Sequence, residues 1–151
     1  MDIKKPEKSA SKYKRWDPTT LAKHFTMCIY GCSHSGKSYI LHYLLYQLRD
    51  KFKRHNVYVF SGTINEQKDS FQFVNPNNRY DDDFETHLAA IMDSQREKEN
   101  PPPVLLLFDD IITNKKIRTS PLMLKLGTLG RHLCISAIVL SQCINPASSI
   151  S

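Results

Sequence analysis

Four short apolar runs divide the chain, and segments of helical period or no period lie between them. Residues 25–31 (FTMCIYG), 56–63 (NVYVFSGT), 104–112 (VLLLFDDII) and 134–142 (CISAIVLSQ) are continuous and rich in β-branched and aromatic side chains. That is the pattern of strands buried on both faces. After the first run, Leu41, Leu44, Leu45, Leu48 and Phe52 recur at helical spacing, with Lys51, Lys53 and Arg54 suiting the helix end. Residues 64–81 show no period and run into the turn-dense NPNNRYDDD, which predicts a long loop.

Asp81 to Asp83 then supply a cap for a helix carrying Phe84, Leu88, Ile91 and Met92 on one face. It frays into SQREKEN and is stopped by Pro101 to Pro103. Ser120-Pro121 opens a further helix, with Leu122, Leu126 and Leu129 on one face and Gly130 near its end. The order β-α-β-loop-α-β-α-β predicts an α/β fold, a mainly parallel sheet covered on both faces with right-handed crossovers.

Length and composition narrow this picture. At 151 residues, 40% hydrophobic and 24% charged, the chain reads as one globular domain with a sizeable core. Residues 1–22 lack periodicity and read as a flexible basic arm, and residues 23–151 as the folded domain. Much of the +6 net charge sits in or beside that arm, at Lys4, Lys5, Lys8, Lys12, Lys14, Arg15 and Lys23. It suits either contact with nucleic acid or plain solvation. The N-terminus lacks the apolar stretch of a signal peptide, and no run is long enough to span a membrane, so cytoplasmic residence is the default. Cys28, Cys32, Cys134 and Cys143 include no C-x-x-C pair and read as free thiols. Cys28, Cys32 and His34 lack a fourth ligand at a usual metal-binding spacing.

The chemistry concentrates after the first strand. Gly31-Cys32-Ser33-His34-Ser35-Gly36-Lys37-Ser38 matches G-x-x-x-x-G-K-[ST], the phosphate-binding loop or Walker A pattern. A loop that wraps a phosphate turns its N–H groups inward, and glycine tolerates the dihedrals and close approach this demands. The helix that follows aims its N-terminus at the anion. Gly31 through Tyr39 thus form the expected cradle for ATP, with Lys37 reaching the β and γ phosphates and the Ser38 hydroxyl placed for Mg²⁺. Strand before and helix after are the context that supports the motif.

Magnesium also needs a carboxylate. Asp109 ends the apolar VLLLF, as a Walker B aspartate does, and Asp110 follows in the place of a residue that activates the attacking water. Gln142 ends the last strand, where a glutamine can bond the γ-phosphate or the water; a solvated strand end is the alternative of equal weight. Arg131 has two readings, stabilising transition-state charge within its own subunit or across an interface, or complementing a helix C-terminus. Lys115, Lys116 and Arg118, in NKKIR after the Walker B strand, are candidates for contact with DNA phosphates or simply a charged turn.

FTMCIYGCSHSGKS, VYVFSGT, VLLLFDDI and LGRHLCISAIVLSQ, at these spacings, resemble the genome-packaging ATPases of poxviruses and related large DNA viruses. These belong to the FtsK–HerA branch of P-loop ATPases. The doubled aspartate and the GRH…SQ segment are the most specific parts of the likeness. The resemblance implies a ring-forming motor that uses ATP and Mg²⁺ to drive double-stranded DNA into a preformed capsid through its portal or vertex. Host cytoplasm or a virus factory, with association to the virion, would be its place of action. It also implies a three-layer P-loop NTPase fold whose last strand lies between the P-loop and Walker B strands, bringing Gln142 beside the γ-phosphate. Relatives continue with another strand and often an arginine. This chain therefore reads as truncated after its fourth core strand, with the P-loop strand at a sheet edge and Arg131, Arg118 or Arg79 as finger candidates. Two other readings stay open: a nucleoside or small-molecule kinase, although no arginine-rich lid is evident, and a nucleotide-binding but inactive subunit.

Overall fold

A computed structural model describes residues 16–66, 69–111 and 114–142. Residues 1–15 of the expected basic arm, and Cys143, lie outside the described residues. Residues 16–22, expected to belong to the arm, are structured: the Asp17 carboxylate caps a tight turn over Pro18–Thr20. The Lys51 ammonium donates to the Ala22 carbonyl, tying this segment to the body.

Five strands form one parallel sheet: β1 (Thr26–Tyr30), β2 (Val57–Ser61), β3 (Arg79–Tyr80), β4 (Val104–Asp109) and β5 (Ile135–Ser141). Their spatial order is β1-β5-β4-β2-β3. The last strand, β5, therefore lies between β1 and β4, the position that the resemblance implies for it. The two-residue β3 adds a strand within the segment read as a loop.

Strand alternation divides the core into two layers. On one face Leu105 and Leu107 of β4, Ile138 and Leu140 of β5 and Val59 of β2 meet Leu41, Leu48 and Phe52. Ile64, Phe71 and Val74 of the segment after β2 complete this layer. On the other face Leu106 and Phe108, Ala137 and Val139, and Phe60 meet α2 (Phe84–Arg96) and α4 (Pro121–Leu129). The central β4 side chains are almost wholly removed from water, each contributing about 1.5–3 kcal/mol.

The first run departs from its expectation. Phe25, Met27 and Ile29 pack on the sheet's first layer, but Thr26, Cys28 and Tyr30 are exposed, Tyr30 to 65%. Among the described residues β1 pairs with β5 alone, so it is an edge strand with one face covered.

The helices also differ in extent. α1 (Lys37–Gln47) ends before Lys51, and the chain reaches Phe52 through turns. α2 continues through Ser94, Gln95 and Arg96 rather than fraying there. The reason is Gln95, which is buried and donates to the carbonyls of Pro102 at 2.7 Å and Leu133 at 3.0 Å. Asp83 precedes α2 with a left-handed backbone, φ 45°, and its carboxylate takes the Thr86 hydroxyl. Ser120 caps α4 as expected, accepting from the Leu122 N–H. Leu129, however, is exposed instead of buried with Leu126. NKKIR forms a short helix rather than a plain turn, α3 (Lys115–Arg118), capped by Asn114.

Candidate nucleotide site

Parallel strands bring their carboxyl ends to one edge of the sheet, which is where loops in such folds receive ligands. Here that edge gathers the ends of β1, β5 and β4. The Gly31 N–H donates to the Ser141 carbonyl at 3.2 Å, joining the start of the loop to the end of β5. The loop then enters α1 through Gly36, whose φ of +88° belongs to the region glycine reaches without a Cβ penalty. Gly31 serves another need: a Cβ there would stand 2.4 Å from the Ser35 hydroxyl. Two glycines, five residues apart, thus permit one turn and one close approach.

Gly36 offers no side-chain cap, so the first N–H groups of α1 are open to an anion. The Lys37 ammonium is folded over the loop and donates to the carbonyls of Gly31 and Cys32, both at 2.8 Å. It is held at the loop by acceptors that a phosphate would have to outcompete.

A cavity of about 530 Å³ opens in front of these groups, lined by Ser33–Ser38 on one side and Asp109, Asp110 and Gln142 on the other. Asp109 is partly buried. Burial holds its carboxyl above the usual carboxylate range, the Ser61 hydroxyl opposes this, Asp110's charge adds to it, and Lys37 opposes it. Ser61 is wholly buried at the end of β2, in register with Asp109, and donates to its Oδ2 at 3.1 Å. Sequence reasoning missed Ser61; its place at the end of an apolar run was the available signal.

Ser38 and Asp109 present hard oxygen donors to the same cavity. Among the described residues no group of three or more His, Cys, Asp or Glu side chains converges. Two donors, with phosphate and water to complete the shell, suit Mg²⁺ better than a cation held by protein alone.

Asp110 sits in the left-handed region at φ 54°, a conformation aspartate tolerates better than most residues. Its N–H donates to the Leu140 carbonyl at 3.0 Å. Gln142 grips its carboxylate, the backbone N–H on Oδ1 at 3.2 Å and the side-chain amide on Oδ2 at 3.0 Å. The Ser33 hydroxyl in turn donates to the Gln142 carbonyl oxygen at 3.2 Å.

Other expected residues lie elsewhere. Tyr39 is 80% exposed on the first turn of α1 and does not line the cavity. Arg131 precedes β5 and lines a separate groove with His24, Thr26 and Gly127. Seven strand residues then separate it from Gln142, about 23 Å at the usual rise, so it does not serve this subunit's own site. Arg79 is no finger in this arrangement: its guanidinium donates to the carbonyls of Val74 and Gln72 and pins the long segment. Lys115, Lys116 and Arg118 are exposed on α3, outside the cavity lining. No helix among the described residues is long and apolar enough to cross a membrane.

Comparison with known proteins gives two findings. The fold is similar to a solved structure, the cytoplasmic domain of the Thermomonospora curvata type VII secretion ATPase EccC, with a TM-score of 0.55 at 10% identity. The likeness covers 79% of this chain and 16% of that one, and at this identity it speaks for the fold alone. No curated protein matches the sequence. The profile of the family described as Poxvirus A32 protein matches residues 11–148, and by that match over most of its length the chain belongs to the Poxvirus A32 protein family.

Proposed function

We propose that this chain is an ATPase that couples hydrolysis to the translocation of double-stranded DNA into viral capsids. The observation that carries the reading is the convergence of Ser33–Ser38 with Asp109, Asp110 and Gln142 on one cavity. In this reading the loop's N–H groups and Lys37 bind the phosphates, and Ser38 and Asp109 hold Mg²⁺, which would supply charge neutralisation between the phosphates. Asp110 accepts a proton from the attacking water, and Gln142 senses the terminal phosphate from the neighbouring strand end. Membership of the family and a secretion ATPase with a similar fold both favour nucleotide hydrolysis.

Coupling to DNA rests on the exposed cations of α3, which begins five residues after Asp110 and is well placed to move with it. Assembly into a homo-oligomeric ring at a capsid portal or vertex agrees with an edge strand whose second face is open. Arg131, far from its own site, is available to a neighbouring subunit. Cytoplasm or a virus factory is the setting this function requires.

The test is hydrolysis of ATP by the full chain with and without duplex DNA. DNA-stimulated phosphate release that disappears in Lys37→Ala is the expected result. Unchanged activity in that variant, or transfer of phosphate to an acceptor other than water, would overturn the assignment.

A further inference from the structure

The cavity's two walls are bridged by one continuous set of hydrogen bonds. Ser33, on the loop wall, donates to Gln142, and Gln142 donates twice to Asp110 on the opposite wall. Each carboxylate oxygen of Asp110 thus receives a donor from Gln142. An oxygen lone pair engaged by the Gln142 amide is not presented to a water molecule in the cavity. The Gln142 side-chain amide and the Ser33 hydroxyl turn about single bonds and are the parts of the bridge a ligand can redirect, whereas the Gln142 N–H belongs to the backbone directly after β5.

From this geometry we infer that Ser33 is a positioning residue. It keeps Gln142 latched on Asp110 while the loop is empty, and a terminal phosphate opens the latch by taking the Ser33 hydroxyl. The Gln142 amide then leaves Oδ2 of Asp110, which removes one of the donors that hold this carboxylate. A diphosphate does not reach this bridge and leaves it closed. The inference rests on the nucleotide-site reading above, but adds a switch that keeps the carboxylate engaged until a triphosphate is present.

The bridge also makes chemical sense of the residue types. Ser33 donates and Gln142 accepts through its carbonyl oxygen, which turns the amide's nitrogen toward the carboxylate. Removing one neutral hydrogen bond changes such an equilibrium by about 2- to 10-fold, enough to shift a latch without unfolding a strand end.

The test reads the side-chain amide of Gln142 by nitrogen–proton NMR on the full chain, the signal being identified by its loss in Gln142→Glu. In wild type it is expected to move on addition of Mg²⁺ and ATPγS, and to stay with Mg²⁺ and ADP. In nucleotide-free Ser33→Ala it is expected to lie displaced toward the ATPγS position, whereas Ser33→Thr, which keeps the hydroxyl, resembles wild type. Binding of ATPγS is followed separately by displacement of a fluorescent ATP analogue. Bound ATPγS with an unmoved amide, an equal shift with ADP, or no change in Ser33→Ala overturns the latch and leaves the ATPase reading standing. Failure of ATPγS to bind at all overturns both.

Discussion

Gln142 holds Asp110 by both carboxylate oxygens, at 3.2 Å from its backbone N–H and 3.0 Å from its side-chain amide. The contact ties the end of β5 to the end of β4 and fixes the direction in which Asp110 faces the cavity. Asn tolerates the left-handed backbone that Asp110 adopts, so Asp110→Asn should fold normally. Its expected effect is retained ATPγS binding with turnover lowered roughly 10²- to 10⁴-fold, the usual weight of a proton acceptor. Phosphate release near the wild-type rate would show that this carboxylate takes no proton.

Asp109 carries a stability cost, which the metal role proposed for it would explain. Its folded carboxyl titrates above the usual range, with burial as the first cause. The folded state therefore holds this proton to higher pH than the unfolded chain does. The group's contribution is most favourable below the ordinary carboxylate range and is lost as pH rises through the elevated value. Asp109→Asn should accordingly raise the melting temperature at neutral pH, by about 2–4 °C for each kcal/mol relieved, while abolishing Mg²⁺-dependent nucleotide binding. The gain should shrink as pH falls into the acid range. Thermal melts across pH without nucleotide check this; a destabilised variant at pH 7 would contradict it.

Gly31→Ala places a methyl group where the Ser35 hydroxyl now stands, 2.4 Å away. Overpacking of this kind costs about 1–3 kcal/mol, and here the loop has to shift to accommodate it. ATP affinity is expected to fall by about tenfold or more. Gly62→Ala is the matched control: nothing lies within 4 Å of its added carbon, and its stability should change by no more than about 0.5 kcal/mol. Equal affinities for the two variants would mean that the loop's close packing is not needed.

Neutralising Lys115, Lys116 and Arg118 together should weaken binding of duplex DNA without regard to sequence. If all three contact phosphates, the slope of log affinity against log salt falls by about 3. ATP binding is expected to persist, because these residues lie on α3 outside the cavity lining. An unaltered salt slope would make α3 an ordinary charged surface.

Nearly all of the sheet was legible because its signal is local. VLLLFD buries alternate side chains in opposite layers, so an unbroken apolar run was the correct mark of a strand covered on both sides. β3 was not legible: two residues in a turn-rich segment pair with β2, and no period can show over so short a length. FTMCIYG misled for a related reason. Its run carries no charge and only one hydroxyl besides Tyr30, on Thr26, yet exposure of Thr26, Cys28 and Tyr30 depends on which strands and helices adjoin it.

The sequence by itself determined the turn of residues 31–38, because glycine's lack of a Cβ and the lysine beside it act within eight residues. It likewise marked Asp109 and Asp110 as strand-end carboxylates. Only the tertiary structure decided which distant groups meet them. Placing β5 between β1 and β4 set Gln142 against Asp110, and pairing β2 with β4 set Ser61 against Asp109. The same arrangement moved Arg131 to the opposite end of its strand, away from the site. Side-chain contact across a sheet follows strand order and register, and neither is written in the spacing of residues along one chain.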